Sequence, residues 1–266
     1  MKYLYLIFSS IIIAYLVLLV FIYFYQRNLL YHPSENNYQN DKIQFSYDEI
    51  FIKVDEKIKL KSWMINKNLK KFKTLVFFHG NAGELSNRIY KLNELNKLDI
   101  NILLISWRGF SGNQGFPTEE NLYKDAKAVI KWLNSKEVES NKIILYGESL
   151  GTGVVVEIGK KNIFNSIILE SPFTSMENAA KIYYPYLPVK LLLKDKYNSI
   201  SKIQRITTPI LIMHGKKDDI VPFSMGKELF EKANDPKLSY FTSDDDHMME
   251  FNDQMLKSIK SFIEKY

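Results

Sequence analysis

The chain has 266 residues, of which 46% are hydrophobic and 25% charged, so it can bury one large core in one or two domains. It contains no cysteine, which excludes a disulfide, a thiolate nucleophile and a cysteine zinc site. The net charge of +6 comes mainly from lysines spread among acidic residues. There is no Arg-rich stripe, zinc-finger spacing or aromatic RNA-binding motif, so we expect no nucleic-acid partner.

The first 27 residues differ in kind from the rest. No charge occurs from Tyr3 to Tyr25, and a helix of about 20 apolar residues is long enough to cross a bilayer. A cleaved signal peptide is the alternative, but its apolar region is usually about 7–15 residues and precedes a small-residue cleavage site. We therefore predict an uncleaved single-pass membrane anchor over residues 1–27 and a catalytic domain over residues 28–266. Positive charges flank the apolar segment at both ends, with Lys2 before it and Arg27 and Lys42 after it, so they are a weak signal of its orientation. We expect the amino end to lie in the cytoplasm and the catalytic domain to lie on the non-cytoplasmic side.

After a polar connector at residues 34–41, strand-like and helix-like segments alternate. An antiparallel opening pair is predicted at 49–54 and 58–65, because both runs alternate apolar and polar residues. Six short apolar runs then have the composition of buried parallel strands, at residues 74–78, 100–106, 142–146, 166–170, 209–214 and 237–242. Amphipathic helices are predicted at residues 85–98, 118–134, 152–160, 223–233 and 252–265. The alternation predicts an α/β fold with one eight-stranded, mostly parallel, doubly wound sheet. Residues 171–208, with three prolines, are predicted to form a small cap-like helical excursion over the carboxyl edge.

A Gly-x-Ser-x-Gly motif stands at Gly147–Gly151, after an apolar run and before a predicted helix. At a strand-to-helix turn, this pattern exposes a serine oxygen on a strained backbone that needs small neighbours on either side. The context makes Ser149 the candidate nucleophile.

A serine hydroxyl needs a base within hydrogen-bond reach and a carboxylate that orients the base. Among four histidines, His247 follows the last predicted strand, in a loop that reaches the carboxyl edge of the sheet. His79 and His214 end strands in His-Gly pairs, and we interpret them as structural. Asp218 lies in the loop after the preceding strand, which gives the chain order Ser, Asp, His of α/β-hydrolases. Asp219 is its neighbour in that loop.

Three acidic residues just before the base, Asp244, Asp245 and Asp246, are interpreted as a solvated charge run, because residues in the same loop are poorly placed to reach its inner ring nitrogen. The developing oxyanion needs two N–H donors. The residue after the nucleophile, Leu150, and the loop after the third strand, at Asn81, are the expected backbone donors.

Five stretches carry a resemblance to a known family, and they span most of residues 28–266. They are Phe77-Phe-His-Gly-Asn-Ala-Gly83, Trp107-Arg-Gly-Phe-Ser-Gly112 with Gly115-Phe-Pro-Thr118, Gly147-Glu-Ser-Leu-Gly151, Glu170-Ser-Pro-Phe-Thr-Ser175 and His214-Gly-x-x-Asp218-x-x-Val-Pro222. The chain resembles the BEM46-like group of serine α/β-hydrolases, and Gln26-x-x-Leu-Leu-Tyr-His-Pro33 after the anchor is similar to the membrane-proximal pattern of that group. The family triad falls on Ser149, Asp218 and His247. The chain departs from the family at one point. The family usually has Gly next to the catalytic histidine, whereas the neighbours of His247 here are Asp246 and Met248.

The resemblance implies an α/β-hydrolase fold and hydrolysis of an ester, thioester or amide through an acyl-enzyme, with no metal or organic cofactor. Together with the anchor, it predicts a membrane-anchored serine hydrolase acting on an acyl group of a lipid or an acylated substrate. A serine peptidase or amidase on the same triad and a non-catalytic membrane-tethered scaffold are the alternatives. Neither the acyl chain nor the leaving group follows from fold and triad, because many chemistries share them.

Two further features have open interpretations. Arg108 either pairs with an anionic group of the substrate or, as we favour, has a structural role in its loop. The aromatic and leucine residues of the excursion either roof an acyl pocket or simply pack a short helix onto the sheet; they are Tyr183, Tyr184, Tyr186, Leu187 and Leu191–Leu193.

Overall fold

A computed structural model describes residues 1–33 and 42–266; the predicted connector at 34–41 lies outside the described residues. The chain forms one eight-stranded sheet in the order β1-β2-β4-β3-β5-β6-β7-β8. The strands are β1 Asp48–Lys53, β2 Lys59–Ile65, β3 Thr74–Phe78, β4 Asn101–Ile105, β5 Ile143–Glu148, β6 Ser166–Glu170, β7 Ile210–Gly215 and β8 Lys237–Thr242. Strand β2 pairs antiparallel with β1 and β4, and all other pairs are parallel. The prediction of a mostly parallel doubly wound sheet is confirmed.

One helix precedes the first strand, and the others lie between strands or follow the last one. They are α1 Lys2–Leu30, α2 Ile89–Leu95, α3 Glu119–Ser135, α4 Leu150–Gly159, α5 Met176–Tyr183, α6 Val189–Leu192, α7 Phe223–Lys232 and α8 Asp253–Lys265. The helix predicted at 85–98 is shorter, because its first turn, Leu85–Arg88, is a 3-10 helix. Helix α4 begins at Leu150, directly after the candidate nucleophile, and not two residues later as predicted.

The alternation of side chains along the strands divides the core into two layers. Val76 and Phe78 of β3 pack on one face with helices α3, α4 and α7. Leu75 and Phe77 pack on the other face with α2 and α8. The crossover helices cover the two faces of the sheet and not the edge at which the parallel strands end. In open α/β sheets, ligands bind at this carboxyl edge.

The segment at 171–208 carries α5 and α6, joined by Tyr184–Pro188, with a 3-10 turn at Ile203–Arg205. We call residues 176–197 the cap. Helix α1 has no buried residue and is long and apolar enough to span a membrane. It extends three residues beyond the boundary expected at residue 27, and its carboxyl half lies against the cap. The domain boundaries themselves stay a prediction.

Candidate active site

The turn between β5 and α4 has the geometry of a nucleophile elbow. Ser149 has φ 49° and ψ −115°, a strained conformation for a residue with a side chain. A Cβ added to Gly147 would lie 2.7 Å from Thr152 Cα, and one on Gly151 would lie 2.0 Å from the carbonyl oxygen of Phe78. Both glycines are therefore required by close backbone approach, which explains the motif at this turn.

The three residues that the sequence singled out form one hydrogen-bonded chain. His247 Nε2 lies 2.9 Å from Ser149 Oγ, and His247 Nδ1 lies 2.8 Å from Asp218 Oδ2. The aspartate and the histidine are each 8% exposed. These distances allow the imidazole to accept the serine proton while the carboxylate holds the other ring nitrogen in its protonated form.

Asp218 accepts four hydrogen bonds. Backbone N–H groups of Ile220 and Val221 donate to Oδ1 at 2.9 and 2.7 Å, and His214 Nε2 and His247 Nδ1 share Oδ2 at 3.0 and 2.8 Å. Burial acts to raise the pKa of the Asp218 carboxyl, but the hydrogen bonds from the two histidines outweigh it and hold the pKa well below its ordinary value. The Asp218 carboxylate is therefore charged at neutral pH, where it orients the imidazole of His247.

His79 and His214, the two histidines in His-Gly pairs, both make structural contacts. They differ in the group that each one holds. His79 donates from Nδ1 to the carbonyl oxygen of Gly80 at 2.8 Å and accepts from Trp107 N at Nε2, and burial lowers its pKa to about 3. It is a neutral spacer under the loop after β3. His214 holds the carboxylate of the triad, a role that its position before a glycine did not reveal.

The loop after β3 lies beside the nucleophile. Asn81 and Leu150, the expected oxyanion donors, border the same cavity as Ser149. The Asn81 carbonyl accepts from His32 N at 2.8 Å, and its side chain donates to the carbonyl oxygen of Leu30 at 2.7 Å. The loop is thus fastened to the end of α1. That its backbone N–H binds an oxyanion stays a prediction.

A buried ionic network lies beneath this loop and the elbow, and sequence reasoning missed it. Lys91 Nζ bridges Glu148 at 2.7 Å and Glu170 at 2.6 Å, and all three side chains are at most 4% exposed. Arg88 binds Glu148 as well, and Glu148 accepts from Gly80 N at 3.2 Å. Since Glu148 directly precedes the nucleophile, the network joins the elbow to the oxyanion loop.

The charge states within this network follow from burial and from the neighbouring ions. Burial acts to raise the pKa of Glu148, but Arg88 and Lys91 hold it well below its ordinary value. Burial raises the pKa of Glu170, which also accepts a hydrogen bond from the Tyr146 hydroxyl. No sequence signal marks such a network, because Lys91 stands in a run that reads as an ordinary amphipathic helix.

An apolar cavity of about 360 Å³ opens at Ser149, within the usual range of about 300–1,000 Å³ for ligand pockets. The cap residues whose role the sequence left open line it, except Leu191, which is 81% exposed at the surface. One face of α1 lines it as well. No charged residue is among the described residues that line this cavity. The site is therefore suited to an uncharged, hydrophobic group.

The remaining candidates take structural positions. Arg108 pairs with Asp125 through Nε at 2.9 Å, with both side chains at most 8% exposed, so its structural interpretation is the one that the contacts favour. Asp244 pairs with Lys217 at the surface, as expected for a solvated charge run. Across residues 1–33 and 42–266, no group of three or more His, Asp or Glu side chains is arranged to hold a metal ion.

Comparison with known proteins identifies the family of this chain. The model of the prolyl oligopeptidase family matches residues 111–266. The chain is 32% identical to an uncharacterized protein of Mycobacterium tuberculosis over 82% of this chain and 79% of that protein. It is 32% identical to alpha/beta hydrolase domain-containing protein 17B of Homo sapiens, over 71% and 66% of the two chains. It is 29% identical to protein bem46 of Schizosaccharomyces pombe, over 78% and 74%.

Solved structures show the same fold. An esterase of Pyrococcus furiosus, Pf2001, superposes with a TM-score of 0.72 at 20% identity and covers 89% of this chain and 97% of its own. Est1E of Butyrivibrio proteoclasticus superposes with a TM-score of 0.62 at 18% identity, covering 81% and 96%. The chain therefore belongs to the prolyl oligopeptidase family as its model defines it and, among the α/β-hydrolases, to the BEM46-like group, and it is a hydrolase.

Proposed function

We propose that this protein is a membrane-anchored serine hydrolase that cleaves an acyl ester or thioester through an acyl-enzyme. The observation that carries the proposal is the chain of hydrogen bonds Ser149–His247–Asp218, which opens on an uncharged apolar cavity. A polar nucleophile at the base of an apolar cavity fits a substrate whose acyl chain is hydrophobic and whose carbonyl lies at the serine.

The reaction divides into two steps. Ser149 Oγ attacks the carbonyl carbon as His247 Nε2 takes the hydroxyl proton, and the same nitrogen then protonates the leaving alkoxide or thiolate. His247 next removes a proton from water as the water oxygen attacks the carbonyl carbon of the acyl-serine. The bond to Ser149 Oγ then breaks, His247 Nε2 returns the proton to that oxygen, and the carboxylic acid leaves. Asp218 holds the imidazole in one tautomer and stabilises its charged form. The backbone N–H groups of Asn81 and Leu150 are the donors to the tetrahedral oxyanion. These steps require no metal or organic cofactor.

Membrane attachment is part of the proposal. Helix α1 has 29 residues and is about 43 Å long at about 1.5 Å per residue, more than the ~30 Å hydrocarbon core of a bilayer. Its single-pass insertion brings the cavity to the bilayer, where acylated substrates are found. We propose the non-cytoplasmic side for the catalytic domain. A topology reporter fused after Tyr266 tests this, and a signal from the cytoplasm would overturn it.

Labelling with a fluorophosphonate tests the serine chemistry. The wild-type chain should label, Ser149→Ala should not, and the matched variant Ser135→Ala, at an exposed serine on the far end of α3, should label like wild type. An unlabelled wild type, or equal labelling of Ser149→Ala, would refute the proposed mechanism.

A peptidase is the second candidate, because the matching family model is that of the prolyl oligopeptidases. The same triad can open an amide. A panel of acyl p-nitrophenyl esters against aminoacyl p-nitroanilides separates the two. Preference for the amides by kcat/KM would replace the esterase proposal by a peptidase.

A further inference from the structure

The cavity at the nucleophile has an unusual wall. Leu18, Ile22, Gln26 and Leu29 of α1 line it together with the cap. They recur every three or four residues and so form one face of the helix. A helix that served only as a tether would have no reason to contribute a face to the active-site cavity.

Specific polar contacts hold this wall in place. Arg27 binds Asp195 through two hydrogen bonds, Nε to Oδ2 at 2.9 Å and Nη2 to Oδ1 at 3.1 Å. Gln26 donates to the carbonyl oxygen of Leu192 at 2.9 Å and accepts from Lys194 N at 2.8 Å. Asp195 is 3% exposed, so its carboxylate is shielded from water, whereas the Arg27 side chain is 43% exposed. The carboxyl end of α1 and the cap are thus built as one unit.

A contact further up the helix shows how far the wall extends. The Tyr15 hydroxyl donates to the carbonyl oxygen of Tyr186 at 2.7 Å. The lining face from Leu18 to Leu30 runs about 18 Å at about 1.5 Å per residue. One leaflet is about half of the ~30 Å hydrocarbon core, or ~15 Å. The wall therefore has the length of an acyl chain that lies within one leaflet.

The rim of the cavity is apolar and exposed. Leu29 is 55% exposed, Tyr186 63% and Ile220 56%, and each lines the cavity. Apolar side chains around an opening, beside a helix suited to a membrane, mark a surface that faces lipid and not water. The tyrosines suit the boundary between headgroups and acyl chains.

We propose that α1 is one wall of the acyl-binding site and that the fatty acyl chain of the substrate enters sideways from the bilayer, through the seam between α1 and the cap, without leaving the leaflet. The occupant is a single fatty acyl chain whose ester or thioester carbonyl reaches Ser149 at the inner end of the seam. This inference rests on the proposed serine hydrolase function and adds to it the route and the binding wall.

A tryptophan placed in the seam tests the route. Ile22→Trp places a larger side chain in the cavity. Ile13→Trp is the matched control, because Ile13 lies nine residues away, or two and a half turns at about 3.6 residues per turn, and so on the opposite face of α1. Ile13 is 61% exposed there. Both full-length variants are reconstituted in phosphatidylcholine vesicles and assayed with p-nitrophenyl acetate and with p-nitrophenyl palmitate carried in the bilayer. We expect the palmitate-to-acetate ratio of kcat/KM to fall at least tenfold in Ile22→Trp and to stay within twofold of wild type in Ile13→Trp.

Two outcomes would overturn the route: an unchanged ratio in Ile22→Trp, or an equal fall in both variants.

A second measurement does not depend on the variants. A long-chain alkyl fluorophosphonate with a terminal diazirine, bound at Ser149 of the wild-type chain in vesicles, should cross-link on illumination to α1 between residues 18 and 29. Cross-links confined to other segments would refute the wall. Failure of the wild type to label at all would refute the proposed function instead, so the two failures are distinguishable.

Discussion

Replacing Lys91 by methionine tests whether the buried ionic network supports the active site. Lys91→Met keeps an unbranched side chain but removes the charge that Glu148 and Glu170 share at 2.7 and 2.6 Å. Breaking a buried ion pair by removing one partner typically lowers the free energy of unfolding by about 3–5 kcal/mol. At about 2–4 °C per kcal/mol for a domain of this size, we expect the Tm to fall by roughly 6–20 °C.

The pH dependence of this loss has a definite sign. Without Lys91, burial raises the pKa of the Glu170 carboxyl still further above its ordinary value, because the cation that opposes burial is gone. A carboxyl whose pKa is higher in the folded than in the unfolded protein loses stability as the pH rises through its folded pKa. The difference between wild type and Lys91→Met should therefore grow from pH 5.5 to pH 8.5, by at most about 1.4 kcal/mol per pH unit for one group.

The assay is urea and thermal unfolding of the full-length protein in detergent, followed by tryptophan fluorescence. Lys97→Met, which breaks an exposed pair with Glu94, is the matched control and should change little. The double variant Lys91→Met/Glu170→Gln should recover part of the loss, because one of the two unpaired carboxylates is removed. A loss below about 1 kcal/mol, or one independent of pH, would refute the reasoning.

Three further predictions concern the elbow, the loop after β4 and the triad carboxylate. Gly151→Ala should destabilise the chain more than Gly112→Ala, because the Cβ added at Gly151 would lie 2.0 Å from the last carbonyl oxygen of β3. Around Gly112 nothing lies within 4 Å, so only its positive φ of 79° opposes a side chain; equal unfolding curves would contradict this. Arg108→Met should lower the free energy of unfolding by about 3–5 kcal/mol, because it leaves Asp125 buried without its cation, while KM for a neutral ester stays near wild type; a raised KM with unchanged stability would favour a substrate contact. His214→Phe should lower the free energy of unfolding at pH 7 but make it fall less between pH 4 and pH 2.

The sign in the last prediction follows from the triad carboxylate. The pKa of Asp218 is depressed in the folded protein, so its stabilising contribution is present above the ordinary pKa of about 3.9 and is lost as the pH falls below it. Without the hydrogen bond from His214, the folded pKa rises toward that ordinary value and less stability remains to be lost. Acid unfolding of wild type and variant by circular dichroism measures both slopes, and a steeper fall in the variant would contradict the argument.

The sequence alone predicted the sheet, because its parallel strands are short apolar runs with turn residues between them. Strands β3, β6 and β8 have the predicted bounds, and the others differ by one or two residues. The helix start at Leu150 was set two residues late, because a helix that begins at a nucleophile elbow has no capping residue that a pattern can show. The structure brings Ser149, Asp218 and His247 together as the chain order predicted; their catalytic role awaits the labelling experiment.

The features that the sequence did not reveal are contacts between distant segments and one contact within the loop after β7. Lys91 reads as one lysine of an amphipathic helix, and only the tertiary structure places it between two carboxylates. Gln26 and Arg27 read as the end of a hydrophobic segment, and nothing local shows that they bind the cap. His214 looked like a spacer before a glycine, since the hydrogen bond to Asp218 depends on how the loop after β7 folds back.

The seam between α1 and the cap also sets an order of assembly. Its contacts join residues 171 and 168 positions apart, as in the Tyr15–Tyr186 and Arg27–Asp195 pairs. At a synthesis rate of about 5–20 residues per second, the helix wall exists for roughly 8–34 seconds before its partner has been made. The ribosome thus completes the elbow before the cap, and the cap before the base at His247. An immature chain therefore carries its serine without a base, and the hydrogen-bonded chain Ser149–His247–Asp218 is complete only when the loop after β8 has been made.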